Sequence, residues 1–221
     1  MERIRWVLRH ATLRFGPPTL ADRVFQPGIA MDLVLVFCGA GLISIFAQVS
    51  VPLWPAPTTG QIAGVLLVGY SLGAVRGTLA AAVYVVMGTM GLPVFTNGLS
   101  GVERLTGQTG GFIIGFVLGA LAAGVFAAFG WDRTFGRAVL SSTICTVVIY
   151  AVGLPWLGMV LDYTVQETVT LGLYPLVLGA VLKIVVVSGL MTGAWWYIRR
   201  FDLRAASAEA WALGNDTGRG Y

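Results

Sequence analysis

LYPLVLGAVLKIVVVSGLMTGAWWYI, residues 173–198, carries a single charged side chain, Lys183, in an otherwise apolar run. A helix of about 20 residues crosses a hydrocarbon core of roughly 30 Å, so this run is long enough to span a bilayer. Working back along the chain, comparable runs lie at Met31–Val49, Thr59–Val75, Gly77–Leu92, Thr109–Phe129 and Ala138–Leu157. None shows the alternation of barrel strands, and backbone polar groups in lipid must be satisfied within their own segment, so helices are predicted throughout. The expected fold is an all-α integral membrane protein with six transmembrane helices. Composition agrees: 57% of the 221 residues are hydrophobic, 11% are charged and 30 are glycine, unlike a soluble domain.

Arginine placement predicts the orientation. With both termini cytoplasmic, Arg3, Arg5, Arg9, Arg14, Arg23, Arg76, Arg133, Arg137, Arg199, Arg200, Arg204 and Arg219 fall on one side, and only Arg104 falls in an outer loop. Glu103, Asp162 and Glu167 join it there. Three regions follow. Residues 1–30 form a basic cytoplasmic segment, in which Ile4, Val7, Leu8, Ala11 and Phe15 keep helical spacing suited to an amphipathic helix on anionic lipid. Residues 31–198 form the membrane domain. Residues 199–221 form a cytoplasmic tail, read as loosely ordered after Arg204. The protein is expected to be multi-pass in the inner (plasma) membrane, with lipid as a partner. The arginines already sit where topology wants them, so a pI near 9.4 requires no nucleic acid.

Several chemistries are excluded. A P-loop needs a lysine after glycine and before Ser or Thr, whereas the one lysine lies in Leu182-Lys183-Ile184. Gly98-Leu99-Ser100-Gly101 has the form of an intramembrane serine-protease motif, but such a serine needs an imidazole base and His10 is the sole histidine. Cys38 and Cys145 lie in apolar runs, and no Cys/His cluster offers a metal site. No enzyme activity and no cofactor are predicted.

Two features call for a ligand. An unpaired ammonium at mid-membrane costs at least about 2.5 to 3.5 kcal/mol on insertion scales. The helical neighbours of Lys183 are Gly179, Ala180, Val186 and Val187, none of which offers a counter-charge. Its partner is therefore a carboxylate such as Asp162, Glu167 or Glu103, or an anionic substrate; snorkelling is the remaining way out. The second feature is the glycine-dense stretch from Gly88 to Gly111 around Phe95, Asn97, Arg104 and Gln108, whose apolar residues predict a loop folded over the bundle as a lid.

At these residues the chain resembles the BioY family, the biotin-specific membrane subunits of energy-coupling factor (ECF) transporters. The resemblance covers about Gln48 to Lys183. It is carried by Pro57-Thr58-Thr59-Gly60-Gln61, by Tyr84 with Gly88-Thr89-Met90-Gly91-Leu92-Pro93-Val94-Phe95, by Gly107-Gln108-Thr109-Gly110-Gly111-Phe112, and by Gly115-Phe116. Two positions depart from the family pattern. Gln108 stands where proline is common, and Leu178-Gly179-Ala180-Val181-Leu182-Lys183 keeps the lysine of the last-span motif but has Ala180 in place of its aspartate. Three outcomes fit that loss: weaker binding, a ureido contact moved to Asn97 or Gln108, or a related ligand.

The resemblance implies a high-affinity biotin-binding subunit that does no chemistry and presents its vitamin to a transmembrane coupling protein and two ATPase subunits. The candidate ligand-binding residues are Lys183, Asn97, Arg104, Gln108, Phe95, Tyr84 and Gln61, with Trp54 or Trp156 as further apolar walls. The ligand carboxylate has two candidate cations, Lys183 and Arg104, and Gln61 is either an amide partner of the ligand or a helix cap. Ala40 and Ser44, flanked by Gly39 and Gly41, give a small-x-x-x-small face suited to docking the coupling protein or to ordinary packing inside the bundle. The alternatives are an S subunit for another small anionic vitamin and a non-transporting structural or assembly membrane protein.

Overall fold

The computed structural model describes residues 18–26, 28–52 and 58–216, with side chains as far as 201. The amphipathic helix expected within residues 2–15, and Trp54 and Pro57, lie outside the described residues. The helices in chain order are α1 (Leu20–Val24), α2 (Ile29–Gln48), α3 (Gln61–Leu72), α4 (Ala74–Thr89), α5 (Glu103–Thr106), α6 (Gly110–Ala128), α7 (Phe135–Leu161), α8 (Val165–Glu167) and α9 (Tyr174–Asp216). Short strands β1 (Ser50–Val51) and β2 (Thr58–Thr59) pair antiparallel, with Ser50 opposite Thr59.

The fold is a helical bundle of a membrane protein. Among the described residues four segments are long and apolar enough to cross a membrane: Ile29–Gln48, Gly110–Ala128, Phe135–Leu161 and Val165–Phe201. Helices α3 and α4 are apolar but shorter, at 12 and 16 residues. Their lengths of about 18 and 24 Å, at roughly 1.5 Å per residue, fall short of a full hydrocarbon core. They are two pieces because Gly73 between them adopts φ +85°, a left-handed conformation that suits glycine. Helix α6 is central and packs on α3, α4 and α7. Its small residues allow close crossings: a Cβ on Gly115 would meet the Ile149 carbonyl oxygen at 2.9 Å.

One end of the bundle, carrying the α3–α4 and α6–α7 turns, holds a buried ion-pair network. Arg76, in the first turn of α4, is buried and bridges Asp22 of α1 at 3.0 Å and Asp32 of α2 at 3.1 Å. It also donates to Thr19 Oγ1 and the Leu72 carbonyl. The expectation of a topogenic arginine in a connecting loop is thus refined: the turn at Gly73 brings Arg76 back into the core. Nearby, Trp195 of α9 donates to Asp132 Oδ2, and burial pushes that carboxyl above the usual carboxylate range. The Arg133 guanidinium lies 4.5 Å from the centre of the Trp195 ring, and Arg199 donates to the Arg133 carbonyl at 2.8 Å.

Two expectations are corrected. Ala40 has no exposed surface, and the half-buried Ser44 turns its hydroxyl onto the Ala40 carbonyl at 2.8 Å, so that small-residue face serves packing within the bundle rather than docking. Its neighbour Gly39 meets Ala80, Leu72 and Val68. The chain after Arg204 is helical to Asp216, because Ala205, Ala206, Ala208, Ala210 and Ala212 favour helix and the first glycine comes only at Gly214. The last span enters through a π-helical turn, Thr168–Leu173, just ahead of Pro175, which has no N–H to give to a regular helix.

Candidate functional site

At the other end, β2, the start of α3, the 90–109 loop, the start of α6, α7 and α9 enclose a cavity of about 480 Å³. That volume lies within the range of about 300 to 1,000 Å³ that small-molecule sites occupy. Six of the seven ligand-binding candidates line it: Gln61, Phe95, Asn97, Arg104, Gln108 and Lys183. The seventh, Tyr84, sits behind it. Its hydroxyl takes a 2.5 Å hydrogen bond from Gln61 Nε2, and its ring meets Phe95 edge-on at 5.5 Å. Tyr84 therefore positions two lining residues instead of facing the cavity.

Gln61 is neither a plain cap nor an idle amide. Its Oε1 accepts from Thr59 Oγ1 at 2.8 Å and from Thr96 Oγ1 at 3.1 Å, so one buried carboxamide ties β2 and the loop to α3. The loop is folded over the bundle, as its apolar residues suggested. Phe95 is buried with its ring over Gly88, where any Cβ would collide with it, and Gly101 N–H reaches the Gly88 carbonyl at 2.8 Å. Gln48 at the end of α2 clasps the same loop, donating to the Phe95 carbonyl and accepting from Gly98 N–H. Asn97 adopts φ +59° and accepts from Ser50 Oγ at 2.8 Å. Trp156 does not line the cavity; its indole donates to the Gly107 carbonyl at 3.0 Å and fixes the loop's far end to α7.

Lys183 reaches the cavity from α9. Its ammonium donates to Thr58 Oγ1 at 3.3 Å, and among the described residues it forms no ion pair. One turn earlier Gly179 lies against the same threonine, whose Oγ1 would stand 2.7 Å from a Cβ there. The absence of bulk at 179 lets α9 close on β2 and bring the amine within reach. Of the carboxylates considered as its partners, Glu167 caps α8 through Thr164 N and Oγ1, Asp162 ends α7 in a left-handed conformation, and Glu103 lines the same cavity without an ion pair to Lys183. A neutral hydroxyl is a poor match for a cation out of water, so the site as built favours an anion.

Sequence reasoning named none of the remaining walls as a ligand contact, although Thr58, Thr109, Phe112 and Phe116 stand in the motifs that carry the resemblance and Glu103 was offered as a partner of Lys183. Ile62, Phe112, Ile113, Phe116, Tyr150 and Leu176 make the buried lining, and Thr58, Thr96, Thr109 and Glu103 add polar groups. Apolar and aromatic residues inside apolar runs carry no distinguishing signal. Thr58 and Thr96 were within reach, since both flank positions already singled out.

Comparisons with known proteins bear on the family and the fold. The BioY family matches residues 18–200. A biotin transporter BioY of Thermotoga maritima is 40% identical over 149 residues, 66% of this chain and 84% of the relative. A probable biotin transporter BioY of Pyrococcus horikoshii is 32% identical over 157 residues, 70% of this chain and 90% of the relative. The crystal structure of the S-component for biotin from an ECF-type ABC transporter superposes with a TM-score of 0.67 at 20% identity, covering 74% of this chain and 89% of that one; it speaks to the fold.

Proposed function

The chain belongs to the BioY family, and from that premise we propose that it is a biotin-binding membrane subunit for vitamin uptake, a carrier rather than an enzyme. The observation that carries the reading is the lidded cavity of about 480 Å³ into which Lys183 extends with, among the described residues, only a hydroxyl as partner. Biotin offers what such a site lacks: a carboxylate for a cation, an apolar body for aromatic walls, and a urea for hydrogen bonds. Its carboxylate faces Lys183, and Arg104, Asn97 and Gln108 on the lid, with Phe95, close over the rest. Gln61 acts through the loop it holds, and Tyr84 through Gln61.

The finer architecture belongs to the same proposal. Helices α2, α3, α4, α6, α7 and α9 are the six spans, both termini are cytoplasmic, and the lid faces outward from the plasma membrane, an arrangement supported by the arginine distribution. Residues 1–30 are the basic cytoplasmic segment, 31–198 the membrane domain and 199–221 a cytoplasmic extension that begins as helix. The chain has no nucleotide-binding motif, so uptake draws its energy from an ECF coupling protein with two ATPase subunits.

Calorimetry on the purified full chain in nanodiscs, across biotin, desthiobiotin and lipoate, tests the reading. One-to-one binding of biotin supports it, tighter binding of lipoate turns it into a subunit for another anionic vitamin, and no heat with any of them leaves a structural or assembly role.

A further inference from the structure

The cavity lining divides by burial. Arg104, Gln108, Thr58, Thr96 and Lys183 keep partial access to solvent. The buried part is apolar except for two side chains, Gln61 and Tyr150. Gln61 is committed on both sides of its carboxamide, to Thr59, Thr96 and Tyr84. Tyr150, on α7, is only 8% exposed, and among the described residues its hydroxyl has no hydrogen-bond partner.

That orphan is held in place. The Tyr150 ring meets Phe112 of α6 edge-on, at 5.9 Å and 86°. Phe112 in turn lies against Gly153, one turn further along α7, where a Cβ would strike its ring. The phenol therefore stands at the cavity wall on a packed aromatic support. A buried hydroxyl without a partner is costly, which makes it a place where a bound molecule is expected to supply the bond.

The kind of group it meets follows from charge. Burying an ionised carboxylate is far more expensive than burying a neutral amide, and the two lining cations stand among the partly exposed residues. An anionic ligand thus keeps its charge with them and sends its uncharged polar end to the buried lining. We propose that Tyr150 is a specificity-determining residue whose hydroxyl donates a hydrogen bond to the neutral carbonyl of the ligand's ring end, the urea oxygen in biotin. This rests on the biotin reading above.

The test is Tyr150→Phe in the full chain in nanodiscs, with biotin and iminobiotin, in which the urea oxygen is replaced, as paired ligands. The expected result is a loss of biotin affinity of about tenfold, the equivalent of about 1.4 kcal/mol. Iminobiotin affinity should change little, so the preference for biotin over iminobiotin collapses. Thermal stability of the ligand-free variant should equal or exceed the parent's, because an unpaired hydroxyl has been removed. Unchanged biotin affinity in Tyr150→Phe, or an undiminished biotin preference, overturns the inference while leaving biotin binding intact. A marked drop in ligand-free stability also overturns it, by assigning the hydroxyl a structural bond. A parent protein that binds no biotin overturns the functional reading and this inference together.

Discussion

Arg76 and Lys183 are both cations inside a membrane bundle, and the protein treats them in opposite ways. Around Arg76 three elements converge: Asp22 and Asp32 accept ion pairs, and Thr19 Oγ1 and the Leu72 carbonyl take further hydrogen bonds. Around Lys183 the described chain offers one threonine hydroxyl at 3.3 Å and an open cavity. Removing a charge from water is expensive at either end, so the contrast separates two uses. The paired charge fastens α1, α2 and α4 together. The other, without an ion pair among the described residues, is the cation that the proposed function assigns to an anionic ligand.

Substitution at the two ends should therefore split stability from binding. Arg76→Leu leaves two buried carboxylates without their guanidinium, and breaking such a network costs on the order of 3–5 kcal/mol. Thermal unfolding in detergent should show a large drop or a loss of folded yield, with biotin affinity of any remaining folded protein little changed. Lys183→Ala should do the reverse, lowering biotin affinity by about tenfold or more with unfolding temperature unchanged or raised. Equal loss of stability in both variants breaks the comparison.

Smaller effects should sharpen it. Gly88→Ala drives a methyl into the Phe95 ring, and overpacking of that kind costs about 1–3 kcal/mol. It should loosen the lid and speed biotin release in a stopped-flow chase, leaving the Arg76 end untouched. Thr58→Val removes the hydroxyl beside Lys183 and keeps the shape, so calorimetry should register a change in affinity within about threefold. A greater loss would make Thr58 a ligand contact in its own right.

Much of this was written in the sequence, for reasons that differ by residue. The apolar runs read as Met31–Val49, Thr109–Phe129 and Ala138–Leu157 became α2, α6 and α7 with ends shifted by a few residues, because a membrane demands length and apolarity from each span separately. Lys183 stood out for the complementary reason, as the lone charge in such a run. The Arg76 network was invisible because its carboxylates lie far away in sequence and look like ordinary residues near chain turns. Tyr150 was silent, since aromatic residues in an apolar helix read alike whether they face lipid, core or cavity, and Phe112 entered only through the motif that carries the resemblance. Helix after Arg204 was legible in its alanines, but the glycines beyond drew the reading toward a loose tail.

The most direct test of the central claim compares biotin with its uncharged methyl ester by calorimetry, on the parent chain and on Lys183→Ala. The account predicts that the parent prefers the free acid by about tenfold or more and that the preference disappears in Lys183→Ala. A preference that survives Lys183→Ala, or that vanishes instead in Arg104→Ala, would contradict it.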